Sequence, residues 1–335
     1  MLPIVFLACG EKQPTPSHPA PAVKKPLPGL SNLVNTCFAN SSINLLFSSN
    51  TIKNILKKNL TQKSGEKPEE FSHRVNFHKA MNNLFSARKM RQTKLCNELN
   101  AFFDAYEKAR EAIFGSELVG DTDKIRRDQS DARAFTSDVL RILGLEAPIF
   151  HYDHFADGST KTYAEQELII EIGLDSTIQN KSISELLDKW AASEPMRAPY
   201  QPYNAAGVKM NADRFMTLKM PAPDSLFVSL NRFEVNLTGG EPERLSNAII
   251  PSKDIKMPAT DEKDLQKKAT VSYELRAIIV QSGSLKGGHY YAFVFNKSTN
   301  QWTNFDDTRV TVVDEAAVMK DATNNGYVFL YERLK

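Results

Sequence analysis

A chain of 335 residues is long enough for one large catalytic domain of two lobes, or for two ordinary domains. Hydrophobic residues make up 41% and charged residues 24%, which argues against a disordered chain and against a membrane bundle. A net charge of +2 argues against a nucleic-acid partner, and Cys9, Cys37 and Cys96 are too few and too scattered for a disulfide framework or a paired-cysteine zinc site.

Residues 2 to 8 form a short apolar run that ends at Cys9-Gly10. The run resembles the lipid-attachment box of bacterial lipoprotein signals, but no basic residue precedes it and it falls far below the ~20 residues of a spanning helix. Two readings stay open: a secreted or lipid-anchored bacterial protein with Cys9 as lipidation site, or an accidental match in a cytoplasmic protein. Pro14, Pro16, Pro19, Pro21, Pro26 and Pro28 then favour an extended tether, so packed structure is expected from Gly29 onward.

Apolar spacing predicts helices over 37–46, 77–85, 95–113 and 132–143, a helical lobe that runs to about residue 150. Cys96 falls in a pattern with Leu95, Leu99, Phe102, Phe103 and Tyr106 and is expected to be a buried structural cysteine. Strands rich in β-branched and aromatic residues are expected over 167–174, 226–235, 271–281, 290–296, 309–313 and 327–331. Val271, Tyr273, Leu275, Ala277 and Ile279 alternate with polar positions, as one half-buried strand would. Ser182-Ile183-Ser184-Glu185 reads as a capping box opening a short helix through Trp190. The stretches 57–72 and 239–269 read as solvated loops, and His151-Tyr152-Asp153-His154 has no further ligand near in sequence that would make it a metal site. The sum is an α+β arrangement, a helical lobe against a mostly antiparallel sheet with a cleft between them.

Two segments carry chemistry. In Gly29-Leu30-Ser31-Asn32-Leu33-Val34-Asn35-Thr36-Cys37-Phe38-Ala39-Asn40-Ser41 a polar turn delivers a cysteine to the first turn of an apolar-striped helix. Unpaired amides and the helix dipole at such a place stabilise a thiolate, and the same amides can bind an oxyanion formed in acyl transfer. Near the other end, Gly287-Gly288-His289-Tyr290-Tyr291-Ala292-Phe293 is followed, after a turn-forming stretch at 296–300, by Trp302, Phe305, Asp306 and Asp307. A hairpin here brings the His289 imidazole beside the Asp306 carboxylate, which sets ring orientation and tautomer and leaves the other nitrogen to face a thiol. The flanking glycines permit close backbone approach by a substrate.

These segments resemble the cysteine box and the histidine box of the ubiquitin-specific proteases, a family of papain-like cysteine peptidases. The family's first box runs Gly-Leu-x-Asn-Leu-Gly-Asn-Thr-Cys-aromatic-x-Asn-Ser, and this chain departs from it at Val34, where glycine is usual. The resemblance implies a papain-like α+β fold over 29–335, after the tether of 1–28. Within it, a helical thumb spans about 29–150 and a β palm with fingers about 151–335. It implies Cys37 as nucleophile, Asn32 as oxyanion donor, His289 as general base, Asp306 as third triad member and Asp307 as helper. Gly287, Gly288 and Tyr290 become substrate-binding candidates, the glycines bordering a channel for a Gly-Gly tail.

Weaker matches lie between the boxes. Gln129-Ser130-Asp131-Ala132-Arg133-Ala134-Phe135 resembles the family's Gln-Gln-Asp-Ala-x-Glu-Phe, which implies that Asp131 holds an arginine of the ubiquitin tail, while Ala134 stands where glutamate is usual. Leu226 to Phe233 resembles a strand that ends in Lys-Arg-Phe. Many members bind zinc through two cysteine pairs in the fingers; this chain has none around Tyr200-Gln201-Pro202-Tyr203, so its fingers are expected to be held by packing alone. The implied activity is thiol-dependent hydrolysis of isopeptide bonds at the ubiquitin C-terminus, with ubiquitin or ubiquitinated proteins as partners and neither cofactor nor metal. In an exported bacterial member the ubiquitin would be the host's. The alternatives are a non-catalytic ubiquitin-binding module and an isopeptidase for a ubiquitin-like modifier.

Overall fold

The computed structural model of the chain describes residues 26–92, 95–115, 130–234, 243–284 and 287–334; Cys9 and Gln129 lie outside them. At its centre is α1 (Cys37–Ser48), every residue of which is buried. Its polar side chains tolerate this because they bond back to their own helix: Ser41 and Ser42 donate to Phe38 O at 2.8 Å, Asn44 Nδ2 to Asn40 O at 2.7 Å and Ser48 to Leu45 O at 2.6 Å. Around α1 are α2 (Asn50–Leu56), capped by Ser49, α3 (Pro68–Lys89), with proline in its first turn, α4 (Cys96–Phe114) and α5 (Ala132–Ile142). The thumb core is aromatic. Phe135 packs edge-on to Phe38 at 5.6 Å and tilts against Tyr106 at 4.7 Å, and Phe77 meets Phe102 at 5.2 Å, geometries worth about 1 kcal/mol each beyond burial. Cys96 departs from the sequence expectation: it opens α4 but faces outward, exposed, with Leu99, Phe102, Phe103 and Tyr106 forming the buried stripe without it.

The palm and fingers follow in chain order. First come β1 (Ile149–Phe155), β2 (Thr160–Ala164), β3 (Ile170–Gly173), β4 (Lys181–Ser182), α6 (Ile183–Ala191), β5 (Glu194–Met196), β6 (Ala212–Lys219) and β7 (Ser225–Asn231). Then come β8 (Phe233–Glu234), β9 (Glu243–Arg244), β10 (Ile249–Ile250), β11 (Asp254–Asp261) and β12 (Asp264–Ser282). The chain closes with β13 (His289–Asn296), β14 (Gln301–Asp306), β15 (Arg309–Val313), α7 (Glu315–Asn325) and β16 (Gly326–Arg333). The main sheet runs β15-β14-β13-β12-β11-β6-β1-β2, with β16 bonded to β12 and β7. It is mostly antiparallel; β11–β6 and β3–β7 are its parallel pairs. One face packs on α1 and the thumb through Ala277, Ile279, Tyr290 and Val328, the other on α6 and α7 through Ile278, Val280, Phe329 and Tyr331.

In β12 the single alternation expected from sequence breaks. A bulge between Leu275 and Ala277, opposite Tyr331 and Leu330 of β16, inserts Arg276 and flips the parity, so Tyr273 and Leu275 share a core with Ile278 and Val280 while Ala277 and Ile279 turn to the thumb. The fingers also differ from expectation: hydrogen bonds as well as packing hold them. Arg197 donates to Ala212 O at 2.6 Å and Asp213 Oδ1 at 2.9 Å, Gln201 to Asn211 Oδ1 at 2.7 Å, and Asn204 to Asp157 Oδ2 at 3.1 Å. Asn204 Oδ1 in turn accepts from the amides of Ala206 and Val208. The residues 151–154 take separate partners: His151 bonds Glu165 at 2.6 Å, Asp153 pairs with Arg214 at 2.8 Å, and His154 bonds Thr160 at 3.1 Å.

Candidate active site

The segment before α1 is tied to the β14–β15 turn. Leu30 N donates to Asp307 O at 2.9 Å, and Gly29 lies so close that a Cβ there would sit 2.3 Å from the same oxygen, so only glycine fits. Asn32 then organises the approach to Cys37. Its Oδ1 accepts from Thr36 N at 2.9 Å, and its Nδ2 donates to Asp307 Oδ2 at 2.9 Å. Asn40, one turn into α1, donates to Asp307 Oδ1 at 2.7 Å. Thr36, the N-cap, makes no side-chain cap bond; its hydroxyl accepts from Leu33 N instead. The capping role that would occupy the first-turn amides is therefore not filled by Thr36.

The β13–β14 hairpin supplies the second half. Ala292 pairs with Phe305 and Asn296 with Gln301, which sets His289 and Asp306 side by side at the open end of the ladder. His289 Nε2 meets Asp306 Oδ1 at 2.6 Å, leaving Nδ1 to face α1. There the Cys37 side chain faces the imidazole, near enough to perturb its titration. That contact raises the His289 pKa most, burial opposes it and the bond to Asp306 adds to it, for a value of about 9. Cys37 itself is 5% exposed, at the bottom of the site. His289, Asp306 and Asp307 offer ligand atoms within 4.8 Å of one another, but their bonds to each other and to the two asparagines account for the grouping.

A family profile described as "Ubiquitin carboxyl-terminal hydrolase" matches residues 28–331. The chain belongs to this family. Among curated relatives it is 29% identical over 182 residues to ubiquitin carboxyl-terminal hydrolase 4 of Arabidopsis thaliana, covering 51% of this chain and 48% of that protein. It is 28% identical over 184 residues to ubiquitin carboxyl-terminal hydrolase 10 of Mus musculus, covering 52% of this chain and 22% of that protein. The matched stretch thus spans about half the length of the first relative and less of the second. Among solved structures, the SAGA Ubp8/Sgf11/Sus1/Sgf73 deubiquitinating module bound to ubiquitin aldehyde matches with a TM-score of 0.67 at 19% identity, over 92% of this chain and 70% of that one. That likeness shows the fold: the α+β arrangement of thumb, palm and fingers expected from sequence is the architecture observed.

The two boxes thus meet in space: Asn32 is bonded to Asp307, His289 to Asp306, and Cys37 lies beside His289. The substrate-binding candidates are placed differently from one another. Gly287 is exposed at the rim, whereas a Cβ on Gly288 would lie 2.4 Å from Gln281 Nε2 and 2.5 Å from Ser284 O. Tyr290, expected to contact substrate, is instead 1% exposed and faces inward; it supports the site from behind with its hydroxyl 3.5 Å from Asp131 Oδ2. Asp131 caps α5 through Ala134 N at 2.8 Å and accepts from Tyr327. Burial first, then the Asp131 charge, pushes the Tyr290 and Tyr327 phenols above their ordinary range.

Three residues of the site escaped the sequence reading. Asn40 was legible in principle, being three positions after Cys37 and so on the same helix face. Gln281 and Arg244 were not, because nothing local joins them. Gln281, fully buried, donates to Ser284 O at 3.1 Å and Gly283 O at 3.3 Å, while Arg244 grips Gln281 Oε1 at 2.9 Å and Gln281 O at 3.1 Å. The pair braces the loop that precedes His289.

Proposed function

We propose that the protein is a thiol-dependent deubiquitinase that hydrolyses isopeptide bonds at the ubiquitin C-terminal glycine through Cys37, His289 and Asp306. The observation that supports the reading most is an imidazole on β13 bonded through Nε2 to a carboxylate and packed against a thiol at the start of α1, which raises its pKa. The Cys37 thiolate adds to the glycine carbonyl, and the resulting oxyanion takes up hydrogen bonds from the Cys37 amide and from the second N–H of Asn32, the first being spent on Asp307. His289, held as imidazolium, gives its proton to the leaving lysine amine as the C–N bond breaks, and a thioester remains. Water then adds to the thioester with His289 as base, the C–S bond breaks, and the tail carboxylate and the thiol are restored. Incubation with isopeptide-linked diubiquitin tests this: the full chain yields monoubiquitin, Cys37→Ala yields none, and cleavage by Cys37→Ala overturns the reading.

A second reading has its own support. Asp131, the acid that would hold an arginine of the ubiquitin tail, is engaged by Ala134 N and Tyr327, and Ala134 supplies no second carboxylate. This favours a ubiquitin-like modifier with a less basic tail; faster turnover of such a modifier than of ubiquitin in parallel assays would select it.

A further inference from the structure

At the end of α1 remote from Cys37 a cavity of about 510 Å³ lies between the thumb and the sheet, a size suited to a small organic ligand. Lys53, Arg88, Lys89, Arg276 and Lys297 line it, and among the described residues no acidic one does. Glu274, set back from the wall, pairs with Arg276 at 2.7 Å and with Lys297 at 2.8 Å, and Glu332 offsets part of the Lys53 charge. A positive surplus remains, centred on Arg88 and Lys89. Apolar surface comes from the rings of Phe47, Phe85 and Phe305.

Arg88 is the unusual member. It is fully buried, yet among the described residues its partners are neutral: Pro28 O at 2.8 Å, Asn44 Oδ1 at 2.7 Å and the faces of Phe47 and Phe305 at 5.8 and 5.5 Å. Its Nη1 has no hydrogen-bond partner among the described residues. Burial lowers its pKa to about 10, so it remains a cation at neutral pH. Buried cations are ordinarily balanced by an acid or an anion, and among the described residues no acid pairs with this one.

We propose that this cavity binds a small organic anion, one with an aromatic or aliphatic body and a single carboxylate, sulfonate or phosphate group. The body rests on Phe47, Phe85 and Phe305, and the anion sits with Lys53 and Lys89 beside Arg88. The cavity meets α1 at Asn44, Phe47 and Ser48, roughly 10 to 16 Å along the helix from Cys37, and neither Cys37 nor His289 lines it, so it is distinct from the candidate active site.

Titration of the full chain with 8-anilinonaphthalene-1-sulfonate, followed by fluorescence, tests the proposal. Saturation at one site is expected, with affinity lowered at least tenfold in the double variant Lys53→Ala/Lys89→Ala and the circular dichroism spectrum unchanged. N-phenyl-1-naphthylamine, the same rings without the sulfonate, should be indifferent to the double substitution. Cys37→Ala should bind the sulfonate as the unmodified chain does, which separates this result from the fate of the deubiquitinase reading. Equal affinity in the double variant, an equal loss for the uncharged compound, or no saturable binding by the full chain, as would follow if its own residues 1–25 filled the cavity, overturns the proposal.

Discussion

Asp307 sits at φ +50° with one carboxylate oxygen on Asn32 and the other on Asn40, so it aligns the loop before Cys37 with the first turn of α1. Asp307→Ala is expected to lower kcat/KM for a fluorogenic ubiquitin amide by about 10²-fold, because small displacements of a donor near a reacting centre are costly. Val34 presents the opposite situation. It stands at φ +79°, a region that penalises β-branched side chains, and its own side chain is 77% exposed and supports little packing. Val34→Gly is therefore expected to stabilise the fold by about 1 kcal/mol, read as a higher urea midpoint. The family resemblance implied that glycine is usual here but not why; the reason is the backbone angle. For His289, a folded pKa of about 9 against an ordinary 6.5 means that its stabilising contribution is complete below about 6.5 and is lost as pH rises through about 9. The protonated acid for the leaving amine disappears over the same interval. The kcat/KM profile should therefore fall with rising pH near 9, and Asp306→Asn, which removes one of the contacts that raise the pKa, should shift that limb to lower pH.

At the scale of elements, the loop into β13 is fixed from below by Gln281 and Arg244, and the two glycines in it are not equivalent. Gly288→Ala would drive a Cβ into Gln281 Nε2 and two carbonyl oxygens, whereas Gly287→Ala meets, among the described residues, only Ser284 Oγ at 3.4 Å. Gly288→Ala is expected to lose about 10²-fold in kcat/KM with the fold intact, and Gly287→Ala far less, on the same fluorogenic substrate. Elements with a local signature were legible: the Ser182–Glu185 capping box forms as expected, and the turn at 296–300 joins β13 to β14. Others lacked one. In α7 only Val318 and Ala322 are buried, too few to write a stripe. The first half of β12 is charged and solvated on both sides, so β11 and that half together read as a loop although they pair as an antiparallel ladder, irregular only between Thr260 and Asp261. The bulge at Arg276 could not be seen either, since it is defined by the partner strand and not by β12 alone.

For the whole molecule, the two boxes at opposite ends of the sequence could be identified because each carries its chemistry locally, but their meeting is a property of topology. β12 joins β13 to β16, α1 packs on β13, and Leu30 bonds Asp307, so the N-terminal segment is strapped to the hairpin that completes the site. The placement of Tyr290 and Asp131 followed from the same packing: a phenol on the buried face of β13 meets the half-buried cap of α5, whereas the sequence resemblance implied that both bind substrate. All of the proposed chemistry depends on Cys37 being the atom that takes the ubiquitin acyl group. Reaction of the full chain with ubiquitin carrying a C-terminal electrophile, followed by intact mass, tests that most directly. The account predicts a single added ubiquitin on Cys37, absent in Cys37→Ala and strongly slowed in His289→Ala; an adduct that persists in Cys37→Ala, or none on the unmodified chain, would contradict it.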